Sequence, residues 1–452
     1  MTFTKNKKYQ YLFFGILSVY TIFNGGNSNL FIQLNFILFG FLFIYCLRDK
    51  NYRLHLSNFI NNNKISIFFY SLFIIYLFFQ ILPLPVEMLK FISHEKYKFI
   101  NILSNEISYT SISFHPSDSY FQTLNFITIF IVVLIFKMIF YTDRHINRLF
   151  IYLSFLGFIS SLFAVILFLY GNPDFLIFKN LHYKDSSTGF FTNRTVFSIF
   201  LLICLVASLE ILKKIHLDQD KKDDKNFFLK IYIRFFIIFI TIGIITSFSR
   251  IGNFMLLITI FLYLTGISLS KNDNFKSFRN IILLIFLFDI IILGIYFGTS
   301  QIVDRFAFLN EEFSFYNIDN NSNITRLQII KFSLYEIKNF LFFGYGSGAY
   351  EIIFQLKFSD TTTKFANHAH SDLIEYIGEF GLIGISLILL SLAKYFFKLK
   401  LNVVLLILIS YLLIILFFDF ALHIPIIQIL FVIFFILNKN SKALHKFEDR
   451  YL

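Results

Sequence analysis

The chain has no tryptophan, only two cysteines and five prolines, and little charge: Asp, Glu, Lys and Arg make up 15% of its 452 residues, while 57% are hydrophobic. Ordinary soluble domains carry about 25% charged residues, so a water-soluble globular fold is excluded. So is intrinsic disorder, which requires low hydrophobicity. The 18 glycines fall far short of a collagen repeat. Cys46 and Cys204 both sit inside apolar runs, which excludes a disulfide scaffold. The 68 Phe beside the missing Trp fit an AT-rich coding bias, so the aromatic excess is not itself read as aromatic chemistry. What remains is an all-α, polytopic integral membrane protein.

What is present is a series of apolar runs. A helix needs about 20 residues to cross the hydrocarbon layer. Twelve runs qualify: 9–24, 30–47, 65–82, 121–141, 149–170, 191–212, 231–248, 251–269, 281–298, 377–396, 401–418 and 422–437. They are apolar on all sides rather than alternating, which leaves helices as the backbone solution. The first lacks a small-residue cleavage site and leads into further spans, so it reads as a retained helix and not a signal peptide.

With the N-terminus in the cytoplasm, most of the 40 Lys and Arg fall on the cytoplasmic side, and inverting the chain reverses that bias. The net charge of +12 then reflects orientation, and nucleic acid is not expected as a partner. The expected organisation is helices one to nine within 1–298, with a periplasmic loop at 83–120 opening on Pro83-Leu84-Pro85. A large periplasmic loop at 299–376 carries the catalytic residues, helices ten to twelve follow in 377–437, and 438–452 is a cytoplasmic tail. Long loops of that kind are usually functional. No internal repeat stands out, and Glu210 and Asp289 are isolated along the spans, both of which count against a transporter.

Four external constellations carry polar groups that lipid would reject. Gly189 to Thr195 brings Asn193 and Arg194 into the sixth run, where Arg can snorkel to the interface or serve a ligand. Ser247-Phe248-Ser249-Arg250 reverses the chain so tightly that Arg250 stays at the boundary. It is either an interfacial anchor or a guanidinium for bidentate phosphate contact. Thr325-Arg326 leads through an amphipathic stretch to Gly344-Tyr345-Gly346-Ser347-Gly348, a plain turn or a place where Gly346 and Gly348 bare N–H groups to an anion.

The fourth runs from Asn367 to Gly384 and holds His368, His370, Asp372, Glu375 and Glu379. Zinc would want His at helical spacing with further ligands, and His368 and His370 are two apart, so no metal is assigned. A His at a membrane boundary beside carboxylates suits a general base, against the plainer reading of a solvated loop.

Together these residues resemble the O-antigen ligase and polymerase superfamily of bacterial inner membranes. His370-Ser371, nine residues, then Gly381-x-x-Gly384 resembles the ligase motif. Glu379-Phe380-Gly381-Leu382-Ile383-Gly384 is similar to the wider pattern. Gly189 to Ser198 is similar to a Gly-x-Phe-x-Asn-Arg-Asn-x-Phe-Ala element, with Thr195 for its later Asn and Ser198 for its Ala. Ser249-Arg250, Arg326, the glycine turn and Asp419 to Pro425 follow in the family's order.

The resemblance implies a periplasmic transfer of a glycan from undecaprenyl diphosphate to an acceptor hydroxyl. Breaking a sugar–diphosphate bond develops negative charge that needs fixed cations. Arg194, Arg250 and Arg326 would supply them in place of a metal, since the external loops contain no Asp-x-Asp. His370 is the expected base, with His368 beside it matching the motif less closely. Asn193, Gly346, Gly348, Asp372 and Glu379 complete the expected substrate site. No cofactor is implied. The acceptor of a ligase is a lipid A-core sugar, and that of its rival, a polymerase, is a second lipid-linked glycan. A protein O-oligosaccharyltransferase ranks lower, because such enzymes commonly carry a further soluble C-terminal region, as does a lipid-linked glycan transporter.

Overall fold

The computed structural model describes residues 2–103, 107–174, 184–217, 224–268, 279–280, 282–287, 325–358, 366–396 and 401–439. The first eight helices are α1 (Thr2–Ile22), α2 (Asn29–Leu47), α3 (Lys50–Asn62), α4 (Lys64–Ile81), α5 (Val86–Ile92), α6 (His94–Leu103), α7 (Pro116–Ile139) and α8 (Asp143–Leu169). Then come α9 (Arg194–Leu217), α10 (Asp224–Thr246), α11 (Arg250–Ser268), α12 (Arg326–Asn339), α13 (Tyr350–Lys357), α14 (Asp372–Phe396), α15 (Val403–Phe418) and α16 (Pro425–Lys439). Among the described residues, sheet is limited to Leu84-Pro85 paired antiparallel with Tyr109-Thr110.

Among the described residues, seven helices (α2, α4, α7, α8, α9, α10 and α14) are long and apolar enough to cross a membrane, and α11, α15 and α16 are shorter apolar helices. The chain is an all-α polytopic membrane protein. The helices fall on the apolar runs of the sequence. The exception is the run at 281–298, which lies outside the described residues beyond 287, as do 299–324 and 359–365 of the large loop and the tail from 440.

Apolar side chains cover the outside as well as the inside. Leu30, Ile37, Phe41 and Ile44 of α2 face outward, Phe41 with 67% of its surface exposed. In water such a belt would be an aggregation surface, whereas lipid is as apolar as the side chains themselves. At the centre stands α9, 94% of whose span is buried. Its neighbours approach closely through small residues: a Cβ on Gly157 of α8 would lie 2.6 Å from the Cβ of Cys204, the close backbone contact that small residues allow in membranes.

A few side-chain contacts fix the register of the bundle. Thr259 of α11 bonds Tyr411 of α15, and Gly266 lies against Val403. The two helices therefore run antiparallel, and Arg250 at the start of α11 is level with Asp419 beyond the end of α15. Tyr263 donates to Glu210 at 2.8 Å and Ser249 to Thr195 at 3.2 Å, so α9 and α11 run parallel and Arg194 and Arg250 begin side by side. Tyr76 and Gln80 near the end of α4 donate to the Phe380 and Glu379 carbonyls of α14 at 2.8 and 2.9 Å. One end of the bundle thus gathers the starts of α9, α11 and α14 with the end of α15.

Candidate active site

The first turns of α14 place Asp372, Glu375 and Glu379 along one helical stripe, and all three are buried, at 0, 2 and 1% exposure. Charge buried this deeply must be paired and hydrogen-bonded. The partner is a short turn, Ala421–His423, between α15 and α16. Asp372 accepts from the Leu422 N–H at 2.8 Å and from His423 Nδ1, while its own N–H donates to the Asp419 carbonyl at 2.9 Å. His423 Nε2 then lies 3.4 Å from Glu375 and 3.6 Å from Glu379, with the ring stacked on Tyr376 at 4.4 Å. Burial pulls its basicity down, yet Glu375, Tyr376 and Asp372 outweigh that and hold the imidazole well above its ordinary range. Burial also pushes the neighbouring Asp419 carboxyl up to about 7, against the Phe420 N–H and Arg326, which pull it down.

In front of this buried cluster lies the segment from His368 to Ser371. His368 Nδ1 is 2.9 Å from Glu375 Oε1, and Glu375 Oε2 accepts the Ala369 N–H at 2.8 Å. The His368 ring stacks on Phe420 at 4.3 Å and 10°. His370 meets the same Phe420 edge-on at 5.6 Å and 67°. Its backbone is left-handed, φ +55°, uncommon for a residue with a Cβ and a form of strain often found at functional sites. Ser371 anchors the segment by donating to the Leu416 carbonyl at 2.8 Å.

The glycine turn serves a different purpose from the one expected. Gly346 N–H donates to the Glu379 carbonyl at 3.3 Å and Gly348 N–H to Glu379 Oε1 at 2.7 Å, so these donors are turned inward and not bared to an anion. The glycines permit close approach. A Cβ on Gly344 would stand 2.1 Å from the Glu379 carbonyl oxygen, and one on Gly346 2.3 Å from Ser113 Oγ. Gly381, at φ +61°, interrupts α14. There Leu382 and Ile383 donate instead to the Leu341 and Phe342 carbonyls, at 2.8 and 3.2 Å. Tyr76 and Gln80 reach across from α4 to the Phe343 carbonyl, at 2.7 and 2.8 Å. Gly384 completes the joint, since a Cβ there would meet the Tyr76 ring at 2.9 Å.

Residues 235–389 match the family model described as O-antigen ligase. That stretch of the chain is similar to the O-antigen ligase family. No curated protein matches it. The ligase-family segment contains Arg250, Arg326, the glycine turn and His368 to Gly384, while Arg194, Asp419 and His423 lie outside its limits.

Of the residues singled out in the sequence, the fold brings His368, His370, Asp372 and Glu379 together. Arg326 follows the Thr325 capping box at the start of α12, close enough to act on Asp419. Arg194 and Arg250 form a second group at the same end of the bundle, and α9 reaches the 421–423 turn. Asn193 is a helix cap: its Oδ1 accepts the Thr195 and Val196 N–H groups at 2.7 and 3.2 Å, so its carbonyl is committed to α9. Asp372 and Glu379 likewise face protein partners and not an open substrate site.

Glu375, Asp419 and His423 were not assigned from the sequence. The available signal was an acid and a His inside the otherwise apolar 401–437 stretch. His368, Glu375 and His423 also offer ligand atoms within 4.8 Å of one another, a convergence hidden by the spacing of His368 and His370. Glu375 bonds His368 and Asp372 bonds His423, while His423 Nε2, 3.4 Å from Glu375, is buried without a hydrogen-bond partner among the described residues.

Proposed function

We propose that this protein is an O-antigen ligase-type glycosyltransferase of the bacterial inner membrane. It moves a glycan from undecaprenyl diphosphate to a sugar hydroxyl of lipid A-core, with the active site periplasmic and both termini cytoplasmic. The observation that carries this reading is the meeting, at one end of the bundle, of a carboxylate-backed histidine segment with helix starts bearing Arg194, Arg250 and Arg326.

The chemistry follows from those groups. A base in the 368–370 segment takes the hydroxyl proton, and the oxygen lone pair forms the bond to the anomeric carbon. The carbon–oxygen bond to the diphosphate breaks, and its electron pair leaves on the diphosphate oxygen. Guanidinium groups suit that product because they meet phosphate oxygens in a planar fork, and helix N-termini add positive partial charge. With the charge met by arginine, the reading requires neither metal nor cofactor.

The test is transfer by purified protein from undecaprenyl-diphosphate glycan, with chelator present, offered lipid A-core and a second lipid-linked glycan in separate reactions. Glycosylated lipid A-core is the expected product. Lengthened lipid-linked chains instead would identify a polymerase, and no transfer to either would remove the glycosyltransferase reading.

A further inference from the structure

We propose that His368, Glu375 and His423, with Glu379 beside them, hold one divalent metal ion of the zinc class, which ties the segment before α14 to the turn between α15 and α16. The ion is structural. It takes no part in the transfer chemistry, and its presence is tested apart from activity. The two-residue spacing of His368 and His370 hides this set, because its other members come from the first turns of α14 and from beyond the end of α15.

Four donor atoms converge. His368 Nδ1, a Glu375 oxygen and a His423 nitrogen lie within 4.8 Å of one another. Glu375 Oε1 is 2.9 Å from His368 Nδ1 and 3.4 Å from His423 Nε2, and Glu379 Oε2 is 3.6 Å from the same Nε2. Zinc bonds of about 2.0 to 2.1 Å at tetrahedral angles separate neighbouring ligands by about 3.4 Å, so an ion spans these gaps with small adjustments of the side chains.

His423 Nε2 is the atom that points to a ligand. Its side chain is 5% exposed, and Nε2 makes no hydrogen bond among the described residues although two carboxylates face it. A buried nitrogen left in that state is costly, and a proton on it would aim squarely at neither oxygen. An ion between them takes the nitrogen lone pair and the carboxylate oxygens together.

The surroundings fit the same reading. Asp372 bonds His423 Nδ1, the carboxylate–histidine arrangement that fixes a tautomer and leaves Nε2 as the metal donor. Glu375 Oε2 accepts the Ala369 N–H at 2.8 Å and Glu379 Oε1 the Gly348 N–H at 2.7 Å, so each carboxylate is oriented with its other oxygen toward the gap. Stacking on Phe420 and Tyr376 sets the planes of the two imidazoles. Asp372, Glu375 and Glu379 bring three buried carboxylates together, and buried negative charge needs cations nearby. Imidazole donors favour zinc and its neighbours, whereas magnesium and calcium prefer oxygen alone.

The experiment measures metal content and melting of the purified full chain, isolated in detergent without chelator. About one zinc ion per chain is expected. Prolonged dialysis against a chelator should remove it and lower Tm, and Zn²⁺ should restore Tm whereas Mg²⁺ and Ca²⁺ should not. His423→Asn and Glu375→Gln, checked for folding by circular dichroism, should lose most of the ion. His423→Cys, which offers a thiolate, should hold it. So should His370→Ala, since that ring lies edge-on to Phe420 and outside the donor set.

A chain that carries no transition metal and gains no Tm from Zn²⁺ would overturn the site. Metal content unmoved by both His423→Asn and Glu375→Gln would overturn it too, marking an adventitious ion only. Restoration by Mg²⁺ equal to that by Zn²⁺ would overturn the nitrogen donors. Where the Asn and Gln variants do not fold, dialysis and re-addition on the native chain decide. Failure of glycan transfer to either acceptor touches none of these readouts and would overturn the transfer reading alone.

Discussion

Each of the three arginines proposed to meet the diphosphate stands at the beginning of a helix: Arg194 on α9, Arg250 on α11 and Arg326 on α12. A lysine at these positions keeps the charge and loses the fork. Arg250→Lys and Arg326→Lys are therefore expected to cost roughly 10-fold or more in transfer rate, on the scale of one charge-assisted hydrogen bond, at equal amounts of protein in the membrane. Normal rates in both would make them interfacial anchors. Asp419 makes a separate prediction about stability. In the folded protein it holds its proton up to about 7, against 3.8 ordinarily. Between those values the folded state binds more protons than the unfolded state, so stability falls as pH rises through that window. Asn cannot titrate and mimics the neutral acid. Melting in detergent should show Tm declining from pH 4 to 7 in the wild type and less so in Asp419→Asn, and equal slopes would contradict the assigned burial.

The helix break in α14 is the element on which the site's geometry depends. Gly381 is left-handed, and an added Cβ would lie 2.3 Å from the Phe342 carbonyl oxygen, while one on Gly344 would lie 2.1 Å from that of Glu379. Neither position can relax without separating the glycine turn from α14. Gly381→Ala and Gly344→Ala should each cost about 1 to 3 kcal/mol in strain alone, read as a lower Tm and weaker transfer together. Gly15 and Gly40 have nothing within 4 Å of an added Cβ, so their Ala variants should be neutral or slightly stabilising in helix interiors. A uniform response across all four positions would show that the break is not the cause.

The orientation of the whole molecule rests on the distribution of basic residues, and it can be tested on exposed positions at opposite ends of the bundle. Ser108 precedes the short strand at Tyr109 and Ser57 lies on α3, both exposed. A Cys at Ser108 should react with a membrane-impermeant thiol reagent in intact cells whose outer membrane has been permeabilised, while a Cys at Ser57 should stay silent. The native Cys46 and Cys204 are buried, so they add no background. The opposite labelling pattern would put the histidine segment in the cytoplasm and remove a periplasmic donor from consideration.

The sequence alone determined that the chain crosses membranes, where its apolar runs lie, and that the His370 to Gly384 stretch is special. Each of these is a local property: run length, hydropathy and residue spacing are all readable in one dimension. Which helix touches which was not readable, because runs that are apolar on every side carry no stripe to mark a facing surface. Tertiary structure decided that through small residues such as Gly157 and polar contacts such as Thr259 with Tyr411. It also changed the meaning of residues already singled out. Asp372 and Glu379 share a visible helical stripe, but only packing turned that stripe inward onto His423, a residue from a different connection. The N–H groups of Gly346 and Gly348 became bonds to Glu379 for the same reason: a buried carboxylate must find donors, and the nearest ones in space are distant in the chain.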